Sequence, residues 1–208
     1  MKKVFRYVLA TDNGTAPSYA PPCLTLTLCK PQIRKVAAAG DLVIAFAGSS
    51  LDRNPEAVIW AGVVTESLSL AEYWRDTRFQ AKKGVPPQVL DNIYEPDPRL
   101  PDGYQQHWHA YHGASSHMRD VGGRNALIFG SQDTWVFRNV PRVLPASFGM
   151  SMGSARRGHQ TTYIDDRHWQ ELRAWLSDCQ VAAADVAPSD NRVAGRRPSA
   201  RRRAMGCC

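Results

Sequence analysis

Apolar and polar residues alternate over short stretches in the first half of the chain, a pattern typical of β-strands. The clearest stretch is residues 23–29, CLTLTLC, in which leucines and threonines face opposite sides of a predicted strand. Further strands are predicted over residues 3–11, 41–47 and 56–66. The polar loop between the last two favours an antiparallel pair.

Three helices are predicted from their start and stop signals. The first covers residues 31–39 and begins with Pro31, because proline suits a first helical turn. The second begins at Ser69, which opens a Ser-Leu-Ala-Glu capping box, with Trp74 on its buried face. The third is capped by Asp165 and carries apolar residues at helical spacing.

The stretch between residues 80 and 124 has no sustained period. A loop of this length is usually functional or disordered, and its tyrosines and tryptophan argue against full disorder. After it, residues 125–129 and 134–137 predict a closing hairpin. This order of elements predicts an α+β fold, built as a small curled antiparallel sheet or a β-barrel with flanking helices.

Composition predicts one domain over residues 1–184 and a disordered basic tail over 185–208. The tail has six arginines and two aspartates, so it supplies more than half of the net charge of +7. A high net charge is therefore weak grounds for nucleic-acid binding by the folded part. No apolar run is long enough for a signal peptide or a spanning helix, so no membrane association is expected.

The five cysteines predict free thiols in a reducing cytoplasm, because no metal-type Cys-x-x-Cys spacing occurs. Cys23 and Cys29 lie at the two ends of one predicted strand. Six residues of strand span roughly 20 Å, which is too far for a disulfide.

Several segments together resemble a known family. The block AAAGDLVIAFAGSS followed by AVIWAGVVTESLSLAEYW is similar to the core hairpin of PUA-like β-barrels, the class that includes the EVE and YTH readers. The wider series resembles the nucleotide modification associated domain family, type 2, over roughly residues 3–145. It comprises CLTLTLCKPQIRKVAAAGDLVIAF, AEYWRDTRFQAKK, DNIYEPD, a histidine-rich segment and NALIFGSQDTWVF.

Within that series, CKPxIR and DNIY are the most distinctive segments. The resemblance implies a PUA-like fold in a bacterial or phage protein that handles modified bases in DNA. It brings no single catalytic signature.

The CKPxIR segment suggests a phosphate contact. Free N–H groups at the start of the predicted helix, together with Lys30 and Arg34, are suited to an anion. The alternative is an ordinary strand-to-helix junction with two solvated cations.

The DNIY segment suggests a base contact. Asp91 and Asn92 have groups that read the edge of a base, and Tyr94 has a ring that stacks on its face. The alternative is an Asx turn with a packing tyrosine, and the resemblance is the main reason to prefer a base. Trp108, in the long loop, is a further stacking candidate, whereas Trp60 is expected in the core.

The histidine-rich segment suggests a polar site. Its spacings match no standard zinc pattern, so no metal and no cofactor are expected. The resemblance implies that His112, His117 and Asp120 contact a base or act as a general acid and base. In the family a histidine tends to be followed directly by aspartate, whereas here Met118 and Arg119 separate the two.

Two hypotheses follow. The first is a binding module for a nucleotide or nucleic acid, with DNA as the expected partner and RNA or a free nucleotide as alternatives. The second is an enzyme that acts on a nucleotide or modified base. The arginine-rich tail would add salt-sensitive affinity for phosphates. Its terminal Cys-Cys also resembles a prenylation signal, which requires a eukaryotic cell, and a tail without function is the third alternative.

Overall fold

A computed structural model describes residues 1–83, 90–107, 114–152 and 158–184, so the predicted basic tail lies outside the described residues. The strands of this part are β1 (Lys2–Leu9), β2 (Leu24–Leu26), β3 (Leu42–Ala47), β4 (Ala57–Ser69), β5 (Tyr94–Pro96), β6 (Tyr104–Gln106), β7 (Asn125–Val136), β8 (Arg142–Val143) and β9 (His159–Ile164). The α-helices are α1 (Pro31–Val36), α2 (Leu70–Arg75), α3 (Ala114–Gly122) and α4 (Asp166–Ala184). Two 3₁₀ helices cover Thr77–Lys82 and Ala146–Phe148.

Seven strands form one open sheet in the order β2-β7-β4-β3-β1-β9, with β8 paired to β4. The α+β class is confirmed, and β3 and β4 are antiparallel as predicted. The expectation of a wholly antiparallel sheet is wrong, because β1 and β3 pair in parallel. The connection between them contains α1 and is long enough for the crossover that a parallel pair needs. The described strands form no closed barrel.

The predicted closing hairpin is instead one long strand, β7. Both of its halves pair with β4, from Ser69 opposite Asn125 to Trp60 opposite Val136. Phe129 lies opposite Val64 and Thr134 opposite Gly62, so residues 130–133 bulge out of the ladder and do not reverse the chain. The turn-like residues in this stretch form a bulge, which sequence alone does not distinguish from a turn.

A small residue in β3 allows two large rings to meet across it. Ala45 lies opposite Tyr7 on one neighbouring strand and opposite Trp60 on the other. The Trp60 indole N–H donates to the Tyr7 hydroxyl at 3.1 Å, and its ring packs edge-on against Phe129 with centroids 5.1 Å apart. Trp60 is fully buried, as predicted, and it links three strands of the sheet on one face.

The opposite face of the sheet is covered by α4. Asp165 caps this helix as predicted, since its carboxylate accepts from the His168 backbone N–H at 2.8 Å. Trp169, Leu172 and Leu176 pack into one cluster with the residues of β3 that face them. In the described part of the chain, no helix combines the length and the apolarity that crossing a membrane demands.

The capping box at Ser69 is confirmed by both of its hydrogen bonds with Glu72. The predicted burial of Trp74 is only partly correct. Its ring is half-buried, stacks on His107 with centroids 5.0 Å apart, and lies 3.8 Å from the Lys83 ammonium. Beyond α2, the stretch that looked aperiodic contains the β5–β6 hairpin and α3.

The end of α3 packs against α1 so closely that Gly123 has no room for a side chain. A Cβ there would clash with the Arg34 guanidinium and lie 3.0 Å from the Pro31 Cα, whereas a Cβ at Gly122 would meet nothing within 4 Å. We expect Gly123→Ala to lower the free energy of unfolding by about 1–3 kcal/mol through overpacking. Urea denaturation measures the change.

Gly122→Ala is the matched control for this prediction. It adds the same methyl group one residue earlier, in open space, and is expected to leave stability within about 1 kcal/mol of the parent or slightly above it. Equal denaturation midpoints for the two variants would contradict the packing argument.

Candidate functional site

A buried ion pair occupies the place where a phosphate contact was predicted. Arg34 is fully buried, and its guanidinium lies 3.7 Å from the Asp120 carboxylate. It also donates to the backbone carbonyls of Cys29, Asn125 and Asp120. Burial lowers the pKa of Arg34, and the nearby Asp120 carboxylate counteracts this.

Asp120 is therefore a structural residue in this conformation and has no exposed surface for acid-base chemistry. Its carboxylate accepts from the Cys29 backbone N–H and, at 3.1 Å, from the Tyr94 hydroxyl. The pKa of Tyr94 is raised by burial and by this carboxylate. Tyr94 is 2% exposed, so its ring packs in the protein and does not form a stacking surface.

The other two predicted site residues of the DNIY motif are equally buried. Asp91 accepts from the hydroxyls of Thr25, Thr27 and Tyr73 at 2.7–3.0 Å. The threonine side of β2, predicted to be the polar face, is thus inside the protein.

Asn92 donates from its amide to the backbone carbonyls of Tyr73 and Phe79, which ties the motif to α2 and the 3₁₀ helix after it. Asp91 and Asn92 hold these elements together and have no exposed edge to offer a base.

Lys30 lies apart from these residues. Its ammonium donates to the Val8 carbonyl at 3.2 Å and lies 4.6 Å from the centre of the Tyr7 ring. The adjoining helix α1 has only six residues and Arg34 is buried, so Lys30 and Arg34 do not form the predicted phosphate site together. Trp108 and His112 lie outside the described residues.

His117 is a predicted site residue that faces a cleft. It projects from α3 toward the β5–β6 hairpin, where its Nε2 contacts the Asp102 carboxylate and its Nδ1 lies 3.0 Å from Gln106 Oε1. The Tyr94 ring packs against its edge, with centroids 5.3 Å apart. Three contacts thus hold one imidazole in a defined orientation.

The cleft beside His117 has a volume of about 420 Å³. Its described lining consists of Leu100, Pro101, Asp102, Tyr104, Gln105, Gln106, His117 and Met118. A few hydrogen-bonding groups thus lie among apolar and aromatic surfaces, which is the usual make-up of a small-molecule site.

Among the described residues, Lys30, Asn92 and His117 do not share one pocket, because these three lie in separate surroundings. Asp102 and Gln106 were missed as partners of His117. The Asp102-Gly103 pair is a turn signal between two short strand-like stretches, and it marks the hairpin that brings Asp102 back toward α3. Among the described residues, no group of three or more potential ligands is placed to hold a metal ion.

The His117 contact affects the titration of Asp102. Burial works in the opposite direction, but hydrogen bonds from the Tyr104 backbone N–H and from His117 hold the pKa of Asp102 below its usual value. A carboxylate with a lowered folded-state pKa stabilises the fold above its unfolded pKa of about 3.9, and this contribution is lost as the pH falls through the lowered value.

We therefore expect His117→Ala to raise the pKa of Asp102 and to reduce the loss of stability on acidification. Carbon-detected NMR titration of the aspartate carboxyls measures the shift. Asp97, on the same hairpin, is an internal control, because Arg99 holds its pKa at about 2 and the substitution does not touch that pair. An unchanged pKa of Asp102 would refute the coupling.

The Arg34–Asp120 pair gives a second prediction. Arg34→Met leaves a buried carboxylate without its cation and is expected to cost about 3–5 kcal/mol of unfolding free energy. Arg78→Met removes an ion pair with Glu66 whose side chains are 49% and 39% exposed, and is expected to cost about 1 kcal/mol or less. Denaturant unfolding compares the two, and similar costs would show that burial of the first pair is unimportant.

Comparison of the chain with known proteins identifies its family. A family model described as nucleotide modification associated domain 2 matches residues 1–194, which is nearly the whole chain. No curated protein and no solved structure matches the chain. The chain belongs to the nucleotide modification associated domain 2 family.

Proposed function

We propose that this protein binds nucleic acid and recognises a modified base, in DNA, with the cleft between the β5–β6 hairpin and α3. The observation that carries the proposal is the fixed hydrogen-bonding set of Asp102, Gln106 and His117 beside the ring of Tyr104 in one cleft. Family membership supports a role connected with nucleotide modification.

The size and chemistry of the cleft suit a single nucleoside. Its volume of about 420 Å³ lies within the range of about 300–1,000 Å³ that small-ligand pockets occupy. Carboxylate and amide groups such as those of Asp102 and Gln105 accept from and donate to base edges, and the Tyr104 ring is a flat surface of the kind on which bases stack. Leu100, Pro101 and Met118 give apolar surface next to these groups, which suits an added methyl or similar substituent.

Recognition is favoured over catalysis by the way in which His117 is held. Both of its ring nitrogens already contact a protein group, Asp102 on one side and Gln106 on the other. A general base needs a ring nitrogen within hydrogen-bonding reach of the proton that it removes. In this conformation a substrate would first have to displace one partner, so the imidazole serves better to position Asp102 and Gln106 beside a bound base.

The enzyme hypothesis is the second candidate, and one observation favours it. The Asp102–His117 contact is the arrangement by which a carboxylate orients a catalytic imidazole. If Gln106 moved aside on binding, His117 would be free at Nδ1 to exchange a proton with the base.

A cytoplasmic location is part of the proposal. The described cysteines, Cys23, Cys29 and Cys179, are free thiols, as is usual in a reducing compartment. The basic tail and Trp108, as predicted from the sequence, remain proposed contacts for the nucleic-acid backbone and a neighbouring base.

The test is a binding screen with matched oligonucleotides that contain plain or modified cytosine or adenine, at two salt concentrations and without metal. We expect tighter binding to one modified base at both salt concentrations. Tyr104→Leu should weaken binding to the preferred oligonucleotide by about 5- to 150-fold, because base stacking on an aromatic ring contributes about 1–3 kcal/mol. Equal binding to every oligonucleotide, falling with salt alone, would contradict base recognition.

Tyr163→Leu is the control for this substitution. Tyr163 is 59% exposed on the edge strand β9 and does not line the cleft, so its replacement is expected to leave that affinity unchanged. Mass spectrometry of the recovered oligonucleotide separates the two candidates. A chemically altered base that forms with the parent protein but not with His117→Ala would establish the enzyme and overturn the proposed base reader.

A further inference from the structure

A second cavity, of about 210 Å³, lies on the other side of α3 from the cleft. Its described lining consists of Lys30, Pro31, Gln32, Ile33, Arg119, Gly158 and His159. Three basic side chains from three separate parts of the chain therefore converge there, and the described lining includes no carboxylate. We call it the basic cavity.

The surroundings of His159 indicate a positive potential in the basic cavity. Burial lowers the pKa of this imidazole, and the positive charges of Lys3 and Lys30 lower it further. Arg119, from α3, lines the same cavity. An anion bound among these groups would be attracted electrostatically by each of them. Its negative charge would favour the protonated form of His159.

The backbone at Lys30 is unusual in a way that is frequent at functional sites. Cys29 and Lys30 have positive φ values of 57° and 45°, although neither is glycine. Such conformations cost roughly 1–2 kcal/mol per residue and persist where the surrounding structure enforces them. Here the Cys29 backbone is held by Asp120 and Arg34, and the result places Lys30 on the wall of the basic cavity.

The position of the basic cavity relative to the cleft limits what can occupy it. His117 and Arg119 are two residues apart on α3, which is roughly 200° around the helix and about 3 Å along it. His117 accordingly lines the cleft and Arg119 the basic cavity. A helix lies between the two sites, so a mononucleotide with its base in the cleft does not reach both.

We infer that the basic cavity holds a backbone phosphodiester of the same nucleic-acid strand whose base enters the cleft, so that the strand passes over α3 and the natural ligand is an oligonucleotide. This inference rests on the proposed function. It makes Arg119 and His159 phosphate contacts beside Lys30, in place of the buried Arg34. Contacts of this kind add affinity for every sequence, whereas the cleft supplies the discrimination between bases.

The experiment compares Arg119→Gln with the parent on modified and plain oligonucleotides over a range of salt concentrations. We expect uniformly weaker binding, a decrease of about one in the slope of log affinity against log salt, and an unchanged ratio between modified and plain strands. Binding of the modified nucleoside alone should not change. An unaltered salt slope, or a changed ratio, would overturn the inference.

Two further variants make this result specific. Arg53→Gln makes the same charge change at an exposed arginine outside both cavities and is expected to retain the parental salt slope. His159→Gln alters the cavity from β9 and is expected to reproduce the uniform loss at a pH where the histidine is protonated. A defect confined to the folding of α3 would not give that second result.

An NMR titration separates failure of this inference from failure of the proposed function. Inorganic phosphate is expected to raise the pKa of His159, because it would partly offset the charges of Lys3 and Lys30 near the ring. If no oligonucleotide binds but this increase occurs, the proposed base reader is wrong and the anion site stands. If phosphate leaves the pKa of His159 unchanged, the basic cavity is not a phosphate site.

Discussion

The buried contact between Arg34 and Asp120 is the interaction on which the arrangement of both cavities depends. The two side chains are 0% and 1% exposed, and between them they bind the backbone at Cys29 and Asn125 and the hydroxyl of Tyr94. They join α1, α3, β5 and the start of β7 at one point. Removing either partner would leave a charge without compensation in a water-poor interior, which is far more costly than breaking a surface pair.

The same contact determines what each face of α3 presents. Because Asp120 is held against the junction at Cys29, His117 is directed toward the β5–β6 hairpin and Arg119 toward Lys30 and His159. A small rotation of the helix would separate His117 from Asp102 and remove Arg119 from the basic cavity together. The close fit of Gly123 against the Arg34 guanidinium limits such a rotation. Packing at Gly123 and the Arg34–Asp120 ion pair therefore both restrict the rotation of α3.

Local signals in the sequence predicted the elements whose causes are local. The capping box at Ser69, the cap at Asp165 and the apolar stretches of β1 and β3 each follow from a few neighbouring residues, and all are present in the structure. The parallel pairing of β1 with β3 and the bulge in β7 depend on which strand lies alongside. No local sequence pattern predicts that neighbour.

The candidate site was predicted less well for the same reason. His117 was identified by its chemical type, but its partner Asp102 lies fifteen residues away on a hairpin, and Asp120, three residues away, points into the core. Chemical type does not reveal which polar residues are buried. Thr25 and Asp91 are polar residues of types that usually lie at the surface. Here they form a hydrogen-bonded cluster inside the protein that includes the buried Lys82 ammonium.

The segments that carry the family resemblance illustrate how motif and ligand contact differ. In CKPxIR and DNIY, the side chains of Arg34, Asp91, Asn92 and Tyr94 are all buried and all serve to fasten one element to another. A motif built on such residues reports that a chain has this fold, because each of its polar groups needs the same partners wherever the fold occurs. Under the proposed function, discrimination between ligands comes from residues of the cleft, such as Tyr104 and Gln105 on the hairpin. Since those residues lie outside both motifs, the proposal allows two chains that share CKPxIR and DNIY to bind different ligands.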